Sequence, residues 1–144
     1  MKIKIQKVDN KNLNDWKQLV KDLWNNISDY EINLIINARE HTEFVATVDG
    51  QTVGFLNATI RHDYVEGCKD YNTAYIEGIY VKKDYRNQNV GSLLIKEFEK
   101  WAKELGISEL ASDAEIDNQA SINFHNTNGY KIVSKNVHFA KILK

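Results

Sequence analysis

The chain of 144 residues has no proline, one cysteine and only seven glycines. Without proline, its turns must rest on glycine, asparagine and aspartate. The one thiol, Cys68, cannot close an internal disulfide or build a cysteine-based zinc site, and a reduced, cytoplasmic setting suits such a chain. No apolar run is long enough to span a membrane, and the N-terminal residues Met1–Val8 alternate apolar and charged side chains instead of forming the apolar stretch of a signal peptide. Charge of one sign is also lacking: 19 basic against 20 acidic residues give a net charge of −1, whereas a general nucleic-acid binder carries a basic excess. His41, His62 and His138 are too scattered to suggest a metal site, and none is expected.

What is present is ordinary for a globular protein: 42% hydrophobic and 27% charged residues, at a length typical of one domain. No linker, repeat or low-complexity segment divides residues 1–144, so a single domain is expected.

Periodicity and turn chemistry predict the element order. Ile3, Ile5 and Val8 open a strand. Asn12 or Asn10 can cap a helix with Leu13, Trp16, Leu19, Val20 and Leu23 on one face. A second helix is predicted from Ser28 to Ala38. A hairpin then pairs Glu43–Val48 with Thr52–Ile60 across Asp49-Gly50, a strong turn signal. After the polar segment Arg61–Asn72 comes the strand Ala74–Val81, in which Gly78 marks a bulge or a close backbone approach. Val90, Leu93, Leu94, Phe98, Trp101, Ala102 and Leu105 define a long amphipathic helix that Gly106 can end. Ile107–Ser112 reads as a strand, Asn118–Asn126 as a helix, and Tyr130–Leu143 as two final strands. The order β-α-α-β-β-β-α-β-α-β-β implies an α/β (α+β) fold: a mixed sheet with helices packed on it.

The turn Arg86-Asn87-Gln88-Asn89-Val90-Gly91-Ser92, between a strand and a helix, has the makings of a phosphate site. The first amides of a helix lack intrahelical partners, the helix dipole is positive there, and Arg86 adds a full charge. Small residues at Asn89, Gly91 and Ser92 would admit a pyrophosphate close to the backbone. Such a turn also occurs as an ordinary strand-to-helix loop. However, Glu77-Gly78-Ile79-Tyr80-Val81 followed by Tyr85–Leu94 resembles the acetyl-CoA signature of the GNAT superfamily of N-acetyltransferases, Arg/Gln-x-x-Gly-x-Gly/Ala at the head of a long helix. Asn89 stands where the first glycine is usual, and asparagine is the non-glycine residue that best tolerates positive φ. Leu23-Trp24, Arg61–Gly67, Ile76–Val81, Phe98–Lys103 and Ala111–Asn118 further resemble aminoglycoside 6′-N-acetyltransferases over nearly the whole chain.

That resemblance implies a mostly antiparallel sheet splayed at its middle strands, with helices on both faces, and acetyl-CoA as co-substrate. It implies a pantetheine arm bonded to the backbone at Ile79, Tyr80 and Val81, with the pyrophosphate on Arg86–Ser92 and Asn118 touching CoA. Glu77 and Asp113 match acidic residues that bind the substrate's amines and supply or orient a base, a role that a water chain could also fill. Trp24 and Tyr64 match positions lining the aminoglycoside site, although Trp24 also continues the apolar stripe of the first helix. Asp63, Glu66 and Asp70, with Asp113, Glu115 and Asp117, could form an acidic rim that attracts a polycation. His125 occupies the place of a tyrosine that protonates the departing thiolate in many GNAT enzymes, and is read equally as an acid or as a structural residue. Ser134 replaces a substrate-contacting glutamate. The expected activity is acetyl transfer to an aminoglycoside 6′-amine through a ternary complex, conferring antibiotic resistance, by a homodimer as is common among relatives. The alternatives are transfer to another small polycationic amine (a polyamine or amino sugar) and a non-catalytic CoA-binding domain.

Overall fold

A computed structural model describes residues 1–144. Its elements are β1 (Ile3–Lys7), α1 (Leu13–Leu23), α2 (Asp29–Ile36), β2 (His41–Val48), β3 (Gln51–Arg61), β4 (Thr73–Val81), α3 (Val90–Glu104), β5 (Glu109–Ser112) and α4 (Gln119–Thr127). The strands form one five-stranded sheet in chain order. β1 to β4 pair antiparallel and β5 joins β4 in parallel.

Local chemistry explains the ends of these elements. The β2–β3 turn places Asp49 and Gly50 both at positive φ, 49° and 88°, the twist a two-residue hairpin needs. Ser28 and Glu31 form a reciprocal capping box on α2. Gly106, at φ 76°, closes α3: its amide meets the Lys103 carbonyl and that of Ile107 the Ala102 carbonyl. Asn12 precedes α1 without a side-chain cap, because its Oδ1 accepts from the Asp9 amide instead.

Alternation along the strands sends side chains to two cores. Phe44, Leu56, Ala58 and Ile76 face α3, where Leu94, Ile95, Phe98 and Ala102 are buried. Val45 and Phe55 face Trp16, Leu19, Val20 and Ile32 from α1 and α2. Each large side chain taken out of water contributes about 1.5–3 kcal/mol. No helix is long and apolar enough to cross a membrane.

The two C-terminal strands expected over Tyr130–Leu143 are not formed. Residues 131–144 carry no helix or strand and are exposed throughout, with Phe139 at 87% and Ile142 at 91%. Their apolar residues suggest a strand, but a strand exists only where a neighbour takes its backbone hydrogen bonds, and none is provided here.

Candidate active site

β4 and β5 run together only as far as the pair Ile76–Ser112, where β5 ends; β4 continues alone to Val81. On its other side β4 pairs Asn57 with Gly78 but Ala58 with Ile76, which leaves Glu77 as an extra, bulged residue. The bulge expected at Gly78 is therefore present, and the edge of β4 from Glu77 to Val81 opposite β3 has no strand beside it. What approaches Gly78 closely is the indole of Trp24: a Cβ there would lie 2.5 Å from Trp24 Cη2. Trp24 is half-buried, edge-on to Phe55 at 6.1 Å between centroids, so it joins the α1 core to the bulge.

The open edge leads to the head of α3. Asn89 adopts φ 71° and Asn87 φ 60°, so asparagine supplies the left-handed turn in place of glycine. No side chain caps α3, and its first turn carries no acidic residue, which leaves its amides and dipole available to an anion. Arg86 is steered along this path by a 2.7 Å bond from Nε to the Val81 carbonyl and by the Tyr80 ring 5.5 Å beneath its guanidinium. Gln88 Nε2 bonds the Asp84 carbonyl at 3.2 Å. Gly91 also has a packing role: a Cβ would come within 2.8 Å of the Phe124 ring, so the glycine lets α4 pack against α3.

Alternation along β4, with Ala74 and Ile76 toward α3, puts Glu77 on the α1/α2 face of the sheet, where two residues of β3 hold it. Arg61 donates Nη2 to Oε1 at 2.7 Å and Nε to Oε2 at 3.0 Å, and Thr59 Oγ1 donates to Oε2 at 2.6 Å. The Arg61 guanidinium also stacks 3.4 Å over the Tyr75 ring, and the Tyr75 hydroxyl donates to Asp113 Oδ2. Burial and the Asp113 carboxylate push the Tyr75 hydroxyl far above its ordinary range, so it stays a donor. Glu77 and Asp113 thus share a face, joined through Arg61 and Tyr75. Beside them, Glu43 is buried and takes Asn57 Nδ2 at 2.5 Å and His41 Nδ1 at 3.1 Å. Burial drives its carboxyl up to about 9 and lowers the His41 imidazole, so this pair is a neutral hydrogen bond.

Tyr64 is 67% exposed on the β3–β4 loop and plays no part in the core. Asp63, Glu66 and Asp70 are exposed on the same loop, and Asp113, Glu115 and Asp117 are exposed after β5. Glu109 of β5 grips the loop by accepting the Lys69 amide at 2.9 Å and the Asp70 amide at 2.6 Å; these bonds hold its carboxyl below the usual range. Val133 packs so tightly on Gly67 that a Cβ there would be 2.9 Å away, which brings the tail, and Ser134 next to it, up to this loop. On the opposite face of the sheet, His125 of α4 meets Ser112 Oγ at 2.8 Å through Nε2. Asn118 caps α4, its Oδ1 accepting the Ser121 amide at 3.1 Å.

Comparisons with known proteins identify the family. Residues 10–130 match the acetyltransferase (GNAT) family. The chain belongs to the GNAT acetyltransferases. It is 37% identical to an aminoglycoside N(6′)-acetyltransferase type 1 of Serratia marcescens, over 94% of this chain and 96% of that one. A protein of the same name from Acinetobacter haemolyticus is 33% identical, covering 90% and 91%. Among solved structures, an aminoglycoside antibiotic 6′-N-acetyltransferase from Acinetobacter baumannii superposes with a TM-score of 0.89 at 31% identity, over 99% and 100% of the two chains. AAC(6′)-Iy in complex with the bisubstrate analogue CoA-S-monomethyl-acetylneamine gives 0.91 at 30% identity, over the same shares.

Several residues of this GNAT chain that shape the site went unassigned in the sequence: Arg61, Tyr75, Thr59, Glu43, Asn57 and Ser112. The usable signal was strand alternation, which would have put Arg61 and Glu77 on one face once the register of β3 on β4 was known. A depression of about 460 Å³, lined by Glu40, His41, Ile60, His62 and Trp101 among others, lies at the far end of α3 from the phosphate turn. It includes none of the candidate catalytic or cofactor residues.

Proposed function

We propose that this chain, as a single domain, transfers the acetyl group of acetyl-CoA to the 6′-amino group of aminoglycosides by direct transfer in a ternary complex. The observation that carries the reading is the pair Glu77 and Asp113, set on one face of the strand opening whose other end leads to the α3 phosphate turn. The pantetheine arm would lie along Ile79–Val81, with the pyrophosphate on the amides of Val90, Gly91 and Ser92 and beside Arg86. A free amide near Gly78 would hold the thioester oxygen. Asp113 and Glu77 would receive the acceptor ammonium, with Trp24 and Tyr64 flanking its sugar rings, and a carboxylate or a water would take its proton. His125 stands on the CoA side as the source of a returning proton.

The same reading assigns a cytoplasmic enzyme that raises aminoglycoside resistance and works as a homodimer. The lone free Cys68 supports the compartment. The exposed apolar side chains of residues 131–144 support the dimer, since they are surface a second copy could cover. One observation favours a second acceptor class: Ser134 brings no carboxylate to the site, which suits another small polycationic amine.

A thiol-release assay with aminoglycosides, polyamines and amino sugars tests the reading. Glu77→Gln and Asp113→Asn should each lower kcat/KM about 100-fold or more while acetyl-CoA affinity is unchanged. Unaltered rates in both variants would remove these residues from the site, and no turnover of any aminoglycoside would remove the substrate assignment.

A further inference from the structure

The CoA side of the opening contains a second polar unit whose hydrogen positions can be deduced. His125 Nδ1 lies 2.7 Å from the carbonyl oxygen of Ser121. A carbonyl can only accept, so Nδ1 carries a hydrogen whatever the charge on the ring. Exchange of a proton is therefore confined to Nε2, and Nε2 points at Ser112 Oγ, 2.8 Å away. The ring is fixed edge-on to Phe124 and Tyr130, with centroids 5.8 and 6.0 Å away, and Tyr130 is itself tied to Glu99 of α3 at 2.9 Å.

Ser112 is the last residue of β5 and pairs with Ile76, the final contact before β4 and β5 part. Partners in a parallel ladder share a face, so Ser112 lies on the α3/α4 face with Ile76, while Asp113, next in the chain, turns to Tyr75 and the acceptor carboxylates. The apex of the opening is thus flanked by acid groups on the acceptor side and by a serine–histidine pair on the other.

The geometry points to Ser112 as the group that hands a proton to the departing sulfur, with His125 recharging it through Nε2. This rests on the acetyl-transfer reading above and extends it to a residue that the reading leaves idle. When the tetrahedral adduct collapses, the C–S bond breaks and its electron pair stays on sulfur. Ser112 Oγ gives its hydrogen to that thiolate and takes the Nε2 hydrogen of the imidazolium, leaving neutral His125 with hydrogen on Nδ1. The ammonium acceptor loses two protons in becoming an amide; one restores the imidazolium through water and the other leaves to solvent.

The test is single-turnover release of CoA thiol, which product dissociation cannot mask, with an aminoglycoside and separately with water as the acyl acceptor. Ser112→Ala should slow release about 100-fold with both acceptors, while acetyl-CoA binding is unchanged and Ser112→Thr, which keeps the hydroxyl, retains most of the rate. His125→Gln should cost a similar factor, and the double variant no more than either single one, because the two act as a unit. Nitrogen-15 spectra of the folded wild type should show the ring hydrogen on Nδ1. Release by Ser112→Ala at the wild-type rate, multiplicative losses in the double variant, or a ring hydrogen on Nε2 alone would each overturn the relay. The water arm keeps these outcomes separate from the acceptor assignment, which fails only if wild-type protein acetylates no aminoglycoside.

Discussion

Replacing Glu43 by glutamine should change how stability depends on pH. Glu43 is 4% exposed, and burial raises its carboxyl from an ordinary 4.5 to about 9. Its Oε1 and the Trp16 indole Nε1 are both buried without a partner at hydrogen-bonding geometry, although they lie close enough for the indole to act on the carboxyl. The folded chain therefore keeps a proton that the unfolded chain releases above its ordinary carboxyl value. Folding stability then falls as pH rises from 4.5 toward 9, by about 1.4 kcal/mol per unit. Between pH 5 and pH 8 this amounts to about 4 kcal/mol, a large part of a small domain's total of roughly 5–15 kcal/mol. Glu43→Gln keeps the shape and removes the titration, at a cost of about 1 kcal/mol for a hydrogen bond made less well. Urea unfolding followed by tryptophan fluorescence should show the variant slightly less stable than wild type at pH 5 and clearly more stable at pH 8. Parallel stability curves over that range would refute the reasoning, because they would mean that Glu43 is ionised in the fold.

Two further outcomes test the geometry around the acceptor face. Gly78→Ala should lower stability by about 1–3 kcal/mol through its clash with Trp24, read by thermal unfolding, and Trp24→Phe in the same chain should recover most of that loss. Glu109→Ala should release the β3–β4 loop, speeding hydrogen exchange at the Lys69 and Asp70 amides and raising KM for the acceptor several-fold at unchanged acetyl-CoA affinity; the wild-type grip should itself weaken only as pH falls below the usual carboxyl range.

Where local chemistry decides structure, the sequence was a good guide. Asp49-Gly50 dictated the hairpin, Gly106 the end of α3, and the positive φ of Asn89 followed from asparagine's tolerance of that region. The backbone of the proposed donor half was legible, since its strand, turn and helix N-terminus are contiguous in the chain. The acceptor half depends on register. Arg61 and Glu77 stand 16 residues apart across an eleven-residue loop, and a bulge then shifts the pairing by one, so no local rule brings them together. Ser112 and His125 meet across a strand and a helix and had the same obstacle. The tail shows the converse error: alternating apolar residues signal capacity for a strand, while formation depends on a partner that the sequence pattern does not supply.

The ion pair between Arg61 and Glu77 gives the proposed acceptor face a built-in counter-ion. An incoming ammonium that reaches Glu77 must displace a guanidinium already there, so binding at that point is cation exchange within the protein and not simple neutralisation of a bare charge. Added salt then weakens both the arriving and the resident cation. The affinity of this site for a polycation should therefore depend less steeply on ionic strength than the number of carboxylates around it suggests.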